Sequence, residues 1–356
     1  DAPLVFTYHT KFDVDVAKLI RGRLLQESAL YVLASNISAC DEVWVVSRGA
    51  GENLRSIGYK GDYHVMENGV DMPRGRVSEE AVAAATAGYD LPEGVPVFLF
   101  VGRMMWYKGL RIIVDALKLL QAGGQDFRMV FIGGGADAAE VQEYAKPLGN
   151  KCIFTGAISQ RETLRAWYCR ADLFLFPSTY DTNGLVVREA AASDLAAVLI
   201  QGSCAAEGVT DGVDGFLIEE NAGAMASKLQ EICKHPECMA QVGRQAGERL
   251  YLSWGDAVKR ARERYGVVME NYRMGRYEDH HKPMDGVLNA QGTMMDALAR
   301  VRDLGDGLAE RYREGWEEHK EEFEERREER RGERRSIRSE LKQKGEALWQ
   351  KLDRYL

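Results

Sequence analysis

Short, continuous runs of apolar residues alternate with stretches of helical periodicity over most of the chain. The apolar runs predict strands at PLVFTY (3–8), EVWVV (42–46), VFLFVG (97–102), RMVFIG (128–133), KCIFTG (151–156), DLFLFP (172–177) and AAVLI (196–200). Helical stretches such as GLRIIVDALKLLQ, AEVQEYAKPL and SQRETLRAWYCRA lie between them. Apolar strands that alternate with helices are typical of parallel sheets covered on both faces. The pattern therefore predicts an α/β protein.

Breaks in this pattern predict the domain organisation. Residues 72–94 carry Pro and Gly at both ends, as a connecting segment does. We expect a partial α/β domain at 1–80, a linker at 81–94, a fuller α/β domain at 95–272 and a second linker at 273–284. The chain has no initial Met and enters an apolar run at once, so we expect that the complete protein begins upstream.

A charged segment at 285–356 follows, in which Glu and Arg recur at helical spacing. Such a segment is typical of a solvated helix with ion pairs between residues i and i+4. The alternative is a coiled coil or docking helix through which the protein self-associates. It rests on four apolar residues that share one side of the segment: Ile337, Leu341, Leu348 and Leu352.

Composition excludes several classes of protein. The chain has 356 residues, enough for two domains of roughly 150 residues each. Its net charge of −8 argues against a general nucleic-acid binder. The longest apolar run, Val95 to Val101, is far shorter than the ~20 residues that a membrane-spanning helix needs. Six scattered cysteines suit free thiols in a reducing compartment, so we expect a cytoplasmic protein.

The stretch STYDTNGLVVREAAASD (178–194) places two acids around a helix start. Asp181 lies in the turn after a predicted strand, and Glu189 lies in the second turn of the following helix. A helix start after a parallel strand offers free N–H groups to an anion or to sugar hydroxyls. Carboxylates at that place accept hydrogen bonds from hydroxyl groups. The alternative is that Asp181 only caps the helix and Glu189 lies on the surface.

Two further strand-to-helix turns carry candidate chemistry. VGRMMWYKGL (101–110) puts Arg103 and Lys108 at a helix start, where phosphates bind well; the alternative is a structural ion pair. IGGGADAAEV (132–141) has three glycines that let a backbone approach closely, or that simply form a tight turn. Its spacing does not match the G-x-G-x-x-G dinucleotide fingerprint, which argues against a dinucleotide-dependent enzyme.

Taken in order, VGR…KGL, IGGG, FTGAIS and ADLFLFPSTYD…GLVVREAAAS resemble the nucleotide-sugar domain of retaining GT-B glycosyltransferases, often called family 4. The resemblance covers about residues 95–272, and more loosely 1–94 through YHTKFD and ENGVD. It implies a GT-B-like fold with two Rossmann-like parallel-sheet domains, the first incomplete. It also implies transfer of a hexose from a nucleotide-diphosphate sugar, such as a UDP-sugar, to a glycan or lipid acceptor with retention of configuration.

The resemblance implies a donor site built from strand-end residues. Its acid–seven residues–acid motif falls on Asp181 and Glu189; Glu189 would bind the ribose hydroxyls, and Asp181 would hold the donor sugar. Arg103 and Lys108 would hold the diphosphate, so that no cofactor or bound metal is expected. The remaining donor-binding residues would be Gly134, the base-lining Gly156, Ala157 and Ile158, and the sugar-binding amides of Asn183, Gly184 and Leu185. His9 matches the active-site histidine of the family; a structural histidine is the alternative.

The chain departs from the family pattern at four positions in this region. Asp181 is one methylene shorter than the usual Glu, and Asn183 stands where an aromatic residue is common. Asp194 and Ala196 replace a glycine and a proline after the helix. The N-terminal glycine-rich loop of the family has no counterpart in residues 1–356. These departures motivate a second hypothesis, a non-catalytic GT-B-fold partner or scaffold protein.

Two other segments call for an interpretation. Residues 11–33 carry Lys11, Lys18, Arg21 and Arg23 among apolar residues, which suits peripheral contact with the inner face of a membrane; an ordinary buried helix is the alternative. CKHPEC (233–238) and the acid–histidine group at 278–281 have metal-like spacing. Because the first offers only three ligands before a predicted helix start at Pro236, and the second suits a polar linker, no metal site is predicted.

Overall fold

The computed structural model of the protein describes residues 2–277. The charged helix and coiled coil predicted at 285–356 lie outside the described residues, as does the group at 278–281. Every helix within residues 2–277 is either too short or too polar to span a lipid bilayer.

The first part of the chain forms a small parallel sheet with three helices. Its strands are β1 (Val5–Tyr8), β2 (Glu42–Val45) and β3 (His64–Val65), in the order β1-β2-β3. Its helices are α1 (Phe12–Leu19), α2 (Arg23–Ser38) and α3 (Arg48–Ser56). The apolar side chains of β1 and β2 pack against Ile37 and Leu54 of the helices. The sequence pattern predicts β1 and β2 but not β3, which has only two residues, both exposed.

A six-stranded parallel sheet forms the larger part of the described chain. Its strands are β4 (Val97–Val101), β5 (Arg128–Ile132), β6 (Cys152–Gly156), β7 (Leu173–Phe176), β8 (Ala197–Ile200) and β9 (Phe216–Ile218). The spatial order is β6-β5-β4-β7-β8-β9, so the strand order reverses between β4 and β7. Ligand sites of open α/β sheets lie at such a reversal, beyond the carboxyl ends of the strands. All of these strands except the short β9 are predicted by their apolar runs.

Eight helices accompany this sheet within the described residues. They are α4 (Glu79–Thr86), α5 (Leu110–Ala122), α6 (Ala138–Ala145), α7 (Arg161–Arg170), α8 (Leu185–Ala192), α9 (Ala222–Cys233), α10 (Pro236–Arg249) and α11 (Trp254–Arg273). Helix α4 corrects part of the linker predicted at 81–94. Ser78 caps it, its alanines favour a helix, its Val82 is buried, and the helix packs against α7.

Asp194 ends α8 in an unusual backbone conformation. Its φ of 56° is in the left-handed region, and it is the one non-glycine residue between 2 and 277 with a positive φ. A glycine adopts this conformation without strain, which explains why the family pattern has glycine there. The Oδ1 atom of Asp194 is also buried without a hydrogen-bond partner in the described chain. The aspartate therefore destabilises a turn that a glycine would form more easily.

Helix α11 returns to the first sheet through a buried ion pair. The Glu42 carboxylate accepts hydrogen bonds from Arg264 at 2.7 and 2.8 Å and from the Trp44 indole at 2.6 Å. Tyr277 donates to the same carboxylate at 3.1 Å. Burial alone raises the pKa of Glu42, but the hydrogen bonds from Arg264 and Trp44 outweigh it and lower the pKa below its ordinary value. This cluster fixes the end of the described chain to the first sheet.

We predict that Glu42→Gln lowers the free energy of unfolding at pH 7 by about 2–3 kcal/mol, because Arg264 loses a charged partner. Since the folded-state pKa of Glu42 is lowered, its contribution is present above the unfolded-state pKa and is lost as the pH falls through the folded-state value. Urea denaturation at pH 7 and at acid pH measures both effects. Glu52→Gln, which removes an exposed pair with Arg55, is the control and should change stability little. Equal effects of the two substitutions at pH 7 would contradict the role of the Glu42 cluster.

Candidate functional site

The loops that follow β4, β5 and β6 are joined to one another by backbone hydrogen bonds. Gly102 N–H donates to the carbonyl of Ile132 at 3.0 Å, and Met104 N–H donates to that of Gly134 at 2.9 Å. Gly133 N–H continues the series by donating to the carbonyl of Gly156 at 2.9 Å. The three loops therefore form one continuous edge at the carboxyl ends of the strands. Arg103, Gly134 and Gly156, three of the predicted site residues, lie along it.

The glycines after β5 allow the neighbouring loops of this edge to approach each other closely. A Cβ atom on Gly133 would lie 2.0 Å from the carbonyl oxygen of Gly102, and one on Gly135 would lie 2.3 Å from that of Met104. Any side chain at either position would push the β4 and β5 loops apart. The close backbone approach expected from the sequence is present, and the backbone that approaches is that of the neighbouring loop.

Lys108 and Asp181 form a largely buried ion pair. Lys108 ends the 3₁₀ segment Trp106–Lys108, and its Nζ lies 2.5 Å from Oδ1 of Asp181. The Ser178 hydroxyl donates to Oδ2 of the same carboxylate at 2.5 Å. Lys108 is only 8% exposed, so little water screens the pair. Asp181 thus takes part in an ion pair, and α8 has no side-chain cap, which excludes the simple capping alternative.

Gly109 brings the two partners together. Its φ of 78° turns the chain from the 3₁₀ segment into α5. A Cβ atom there would lie 2.1 Å from the carbonyl oxygen of Pro177, so only glycine allows the β4 and β7 loops to touch. The two residues of the KG dipeptide therefore act together. Gly109 allows the β4 and β7 loops to approach each other closely, and Lys108 forms the ion pair with Asp181.

Arg103 differs from Lys108 in its exposure and in its partners. Its side chain is exposed and makes no ion pair or hydrogen bond with the residues that the structure describes. The two cations that the sequence places at one helix start therefore have separate environments: one is buried and neutralised, and the other is open to solvent. An anionic ligand at this edge would meet the Arg103 guanidinium without breaking an internal pair.

Glu189 is half-buried and has a buried partner. The Tyr168 hydroxyl of α7 donates to Oε2 of Glu189 at 2.9 Å, and Tyr168 itself is fully buried. Burial raises the pKa of Glu189, and the hydrogen bond from Tyr168 and the charge of Arg161 oppose that rise only in part. Glu189 is therefore not the fully exposed residue of the alternative, because its carboxylate has a buried hydrogen-bond partner. Its carboxylate is held in one position by a group that the sequence motif does not contain.

The loop between β7 and α8 is bound to the first sheet. Lys11 Nζ donates to the Thr179 carbonyl at 2.9 Å, and the Ser47 hydroxyl donates to the Thr182 carbonyl at 2.5 Å. The Thr182 hydroxyl donates to the His9 carbonyl at 2.8 Å. His9 is exposed, and its backbone carbonyl is the group that contacts this loop. The structure thus brings His9 beside the β7–α8 loop.

Asn183 explains one departure from the family pattern. It is 8% exposed, and its side-chain amide donates to the carbonyl of Val46 at 2.7 Å. An aromatic side chain at this position would lack that hydrogen bond. The Oδ1 atom of Asn183 is buried without a partner in the described chain. The Asn183 side chain therefore joins the β7–α8 loop to the end of β2 by a direct hydrogen bond. Its Oδ1 atom stays buried without a hydrogen bond within the described chain, which is a local cost in stability.

The remaining predicted residues lie where the motif order suggests. Gly156 has a φ of 75° and is exposed together with Ala157, whereas Ile158 packs partly against the core. Gly184, with a φ of 62°, precedes α8, and Leu185 begins it. Sequence reasoning missed the supporting residues Ser47, Tyr168 and Ser178. Ser47 had a detectable signal, because a serine between a strand and a helix is a typical N-cap, and it caps α3.

Of the two segments with metal-like spacing, only 233–238 lies within the described residues. No group of three or more potential metal-binding side chains occurs among residues 2–277. In the 233–238 segment, Pro236 is the first residue of α10, as the sequence predicts.

Comparison with known proteins gives the following similarities. Residues 84–249 match the model of a family described as "Glycosyl transferases group 1". A D-inositol 3-phosphate glycosyltransferase of Xylanimonas cellulosilytica is 28% identical over 232 residues, which cover 62% of this chain and 55% of that protein. An alpha-monoglucosyldiacylglycerol synthase of Streptococcus pneumoniae is 25% identical over 197 residues, or 54% of this chain and 44% of that protein. The chain thus spans about half the length of these two curated relatives.

Solved structures share the fold. The Anabaena protein HepE, in a crystal structure described as a complex with UDP and glucose, has a TM-score of 0.62 and 19% identity. The match covers 74% of this chain and 71% of that one. The expected architecture of two parallel-sheet α/β domains is confirmed by this likeness and by the two sheets described above.

We predict that Glu189→Gln raises the free energy of unfolding at pH 7 by at least about 0.5 kcal/mol, in the range of single stabilising substitutions. The reason is the raised folded-state pKa, which makes ionised Glu189 unfavourable above its unfolded-state pKa. The difference between the two proteins should vanish as the pH falls below that value. Urea denaturation between pH 4 and 7 measures it. Glu162→Gln, an exposed position on α7, is the control; a loss of stability in Glu189→Gln at pH 7 would contradict the prediction.

Proposed function

We propose that this chain is a GT-B glycosyltransferase. It transfers a hexose from a nucleotide-diphosphate sugar to a glycan or lipid acceptor, with retention of configuration. In this reaction the bond between the sugar C1 and the diphosphate oxygen breaks. A bond from C1 to the acceptor oxygen forms on the same face of the sugar. The leaving phosphate oxygen takes the proton of the acceptor hydroxyl.

The observation that carries this proposal is the continuous edge formed by the loops after β4, β5 and β6. Its β4 end borders the point where the strand order reverses, and it presents the open guanidinium of Arg103 beside exposed backbone at Gly134 and Gly156. A cation that no internal partner neutralises, next to exposed backbone, suits a diphosphate. Gly156, Ala157 and Ile158 extend the edge and would line the nucleotide base.

The two acids would take separate parts of the donor. Glu189, held by Tyr168, would accept hydrogen bonds from the ribose hydroxyls. Asp181 would bind the hexose together with the backbone N–H groups of Asn183, Gly184 and Leu185. His9 would face the same sugar from the first sheet. The uncapped start of α8 supports this assignment, because its first N–H groups have no side-chain acceptor.

The positive charge of Lys108 would interact with both the Asp181 carboxylate and the donor phosphates. Its ammonium group already neutralises Asp181, and it would stabilise the diphosphate as that group leaves. This arrangement needs no bound metal ion. The shorter side chain of Asp181, compared with the usual Glu, suits the direct 2.5 Å contact with Lys108.

The acceptor would be a glycan or a membrane lipid. The name of the Streptococcus pneumoniae relative, a diacylglycerol-glucosylating synthase, supports the lipid. On this chain, α1 and α2 expose Leu19, Leu24 and Tyr31, which are 82, 80 and 65% exposed, close in sequence to Arg21 and Arg23. Apolar side chains among basic ones bind the surface of an anionic membrane. We therefore propose a cytoplasmic protein that is peripheral on the inner face of the membrane.

A non-catalytic partner or scaffold is the second candidate function. The internal neutralisation of Lys108 by Asp181 and the tight attachment of the β7–α8 loop to the first sheet favour it. Measurement of sugar transfer or donor hydrolysis separates the two candidates. Activity that is lost in Glu189→Ala excludes the scaffold, whereas wild-type protein that binds no UDP or GDP at millimolar concentration excludes the transferase.

We predict that Arg103→Ala weakens binding of the nucleoside diphosphate by about tenfold or more, because a charge-assisted bond to phosphate contributes roughly 1.5–3 kcal/mol. Binding of the nucleoside, which lacks phosphate, should change little. The melting temperature should stay the same, since Arg103 has no ion pair within residues 2–277. Isothermal titration with UDP, GDP and the two nucleosides measures these affinities.

The control is Arg262→Ala, an exposed arginine on α11. It should leave all four affinities unchanged. Lys108→Ala is a less clean test, because it would leave the Asp181 carboxylate half-buried without its cation. Equal losses of nucleoside and nucleotide binding in Arg103→Ala would remove Arg103 from the site.

We predict that the protein floats with vesicles that contain anionic lipid, and that Leu19→Ser/Leu24→Ser reduces the bound fraction at least about threefold. The two leucines are the most exposed large apolar residues of the described chain. Leu119→Ser, at an exposed leucine of α5, is the control. The absence of flotation at low salt would exclude the membrane contact and leave the transferase proposal intact.

A further inference from the structure

Helix α11 carries an apolar stripe that stays exposed in the described chain. The stripe consists of Trp254, Val258, Tyr265 and Met269, which are 43, 59, 48 and 39% exposed. With about 3.6 residues per turn, the four side chains lie within about 60° of one another around the helix axis. Between Trp254 and Met269 the helix rises roughly 22 Å. Single exposed apolar residues are common on a protein surface, but a row of them on one side of a helix indicates an interaction site.

A different side of α11 packs on the rest of the protein. That side carries the buried residues Ala257 and Val268. The apolar stripe lies next to it, and one member, Tyr265, contacts the Trp44 ring of β2 with 4.6 Å between the ring centroids. This contact holds the edge of the stripe in place, so that little freedom would be lost when a partner covers it. Packing within the described chain therefore leaves most of the apolar stripe open to a partner.

A row of cations follows the outer edge of the apolar stripe. Lys259, Arg262 and Arg273 lie about 80–140° around the helix axis from the first residue of the stripe. All three side chains are exposed, and none of them forms an ion pair or hydrogen bond with another residue of the described chain. The acids Glu263 and Glu270 lie farther around the helix, on the side away from the stripe. Although the whole chain has a net charge of −8, this surface is therefore basic.

The cations argue against a symmetric contact between two copies of α11. In a two-fold contact, each surface meets the equivalent surface of the other copy. Since the other edge of the stripe is buried against the first sheet, the exposed flank with Arg262 and Arg273 would meet the same flank of the second helix. Like charges placed opposite each other across an interface oppose binding. The surface is therefore complementary to an acidic partner rather than to itself.

The fold also separates the apolar stripe from the proposed membrane contact. Val43 and Val45 of β2 pack with Ile37 of α2 and Leu54 of α3. Trp44, which lies between the two valines, points to the other face of the sheet and contacts α11. A flat membrane against α2 would therefore leave α11 on the far side of the first sheet. A protein partner suits the apolar stripe better than a second membrane contact does.

We propose that the apolar stripe of α11 binds an amphipathic helix of a partner protein, in which acidic residues flank the apolar side. The apolar side of that helix would cover Trp254, Val258 and Met269, as amphipathic helices do when they bind apolar surfaces of other proteins. Its acids would pair with Lys259 and Arg262 and would set the orientation of the partner. None of the residues proposed to bind the donor belongs to α11, so this interaction does not rest on the proposed transfer reaction.

The test uses the full chain and three labelled synthetic peptides. The acidic probe is a helical peptide with leucines on one side and glutamates on both flanks of that side. The basic probe has lysine in place of each glutamate, and the scrambled probe has the acidic composition without a continuous apolar side. Fluorescence anisotropy measures the Kd of each at about 0.05 and about 0.3 M salt, between which the screening length falls about twofold.

We expect the acidic probe to bind at least about tenfold more tightly than the other two, and to bind more weakly at the higher salt concentration. The reason is that it alone matches both the apolar stripe and the cations beside it. Equal affinity for the acidic and basic probes, or no binding of the acidic probe, overturns the proposal.

Substitutions locate the contact on α11. Val258→Ser/Met269→Ser should weaken binding of the acidic probe at least about tenfold, because two apolar contacts are lost. The matched control is Val267→Ser/Met274→Ser, which changes the same residue types about 180° away on the same helix. These two residues are 42 and 54% exposed, and their substitution should change the Kd less than about twofold. Unchanged affinity in Val258→Ser/Met269→Ser overturns the assignment to the apolar stripe.

Charge reversal tests the cations separately. Arg262→Glu/Arg273→Glu keeps the apolar stripe and reverses the charge beside it. It should weaken binding of the acidic probe and strengthen binding of the basic probe, each by at least about fivefold. If Val258→Ser/Met269→Ser does not fold, this variant takes its place, and an unchanged preference for the acidic probe would then overturn the proposal.

Flotation with vesicles of phosphatidylglycerol and phosphatidylcholine separates a protein partner from a membrane. We expect Val258→Ser/Met269→Ser to leave the vesicle-bound fraction unchanged. A reduced fraction, together with failure of the wild-type protein to bind the acidic probe, would make the apolar stripe a membrane contact and overturn the proposal. Either result leaves the proposed donor site intact, because binding of UDP or GDP there does not involve α11.

Discussion

The contact between Lys108 and Asp181 is the constraint on which the site depends. It joins the loop after β4 to the loop after β7, the two strands between which the strand order reverses. A largely buried pair of this kind contributes little net stability, because desolvation offsets most of its attraction. The pair does fix the positions of the two loops, because separating them would leave a buried lysine or aspartate without its partner and would destabilise the fold. Gly109 permits the approach, and the backbone series from Gly102 to Gly156 extends the fixed region across β5 and β6.

A second constraint ties this region to the first sheet. Hydrogen bonds from Lys11, Ser47 and Asn183 hold the β7–α8 loop against the ends of β1 and β2, and Glu42 with Arg264 holds α11 against the same sheet. The loop that would bind the sugar is therefore shaped by both parts of the chain. One buried oxygen without a partner in the described chain, Oδ1 of Asn183, accompanies this arrangement. Natural proteins accept such local costs where a site needs a particular shape.

The departures from the family pattern have physical explanations of different kinds. Asn183 replaces an aromatic residue and gains a hydrogen bond to the end of β2. Asp181 is short and reaches Lys108 directly. Asp194, in contrast, occupies a left-handed position that suits glycine, and its buried Oδ1 has no hydrogen-bond partner in the described chain. The first two changes act on the candidate site, and the third affects the stability of the turn after α8.

The sequence by itself determined the class of the fold and the order of its motifs, because continuous apolar runs and strand-to-helix turns are local signals. The strands from β4 to β8, the positions of Arg103, Lys108 and Asp181 after strands, and that of Glu189 in the following helix all follow from those signals. Only the tertiary structure decided which of these residues meet: Lys108 pairs with Asp181, 73 positions away, and Glu189 with Tyr168. It also decided that Arg103 stays open, that 79–86 is a helix packed on α7, and that His9 lies beside the β7–α8 loop. Such pairings depend on how the sheets stack distant segments together, and no local pattern of residues records that.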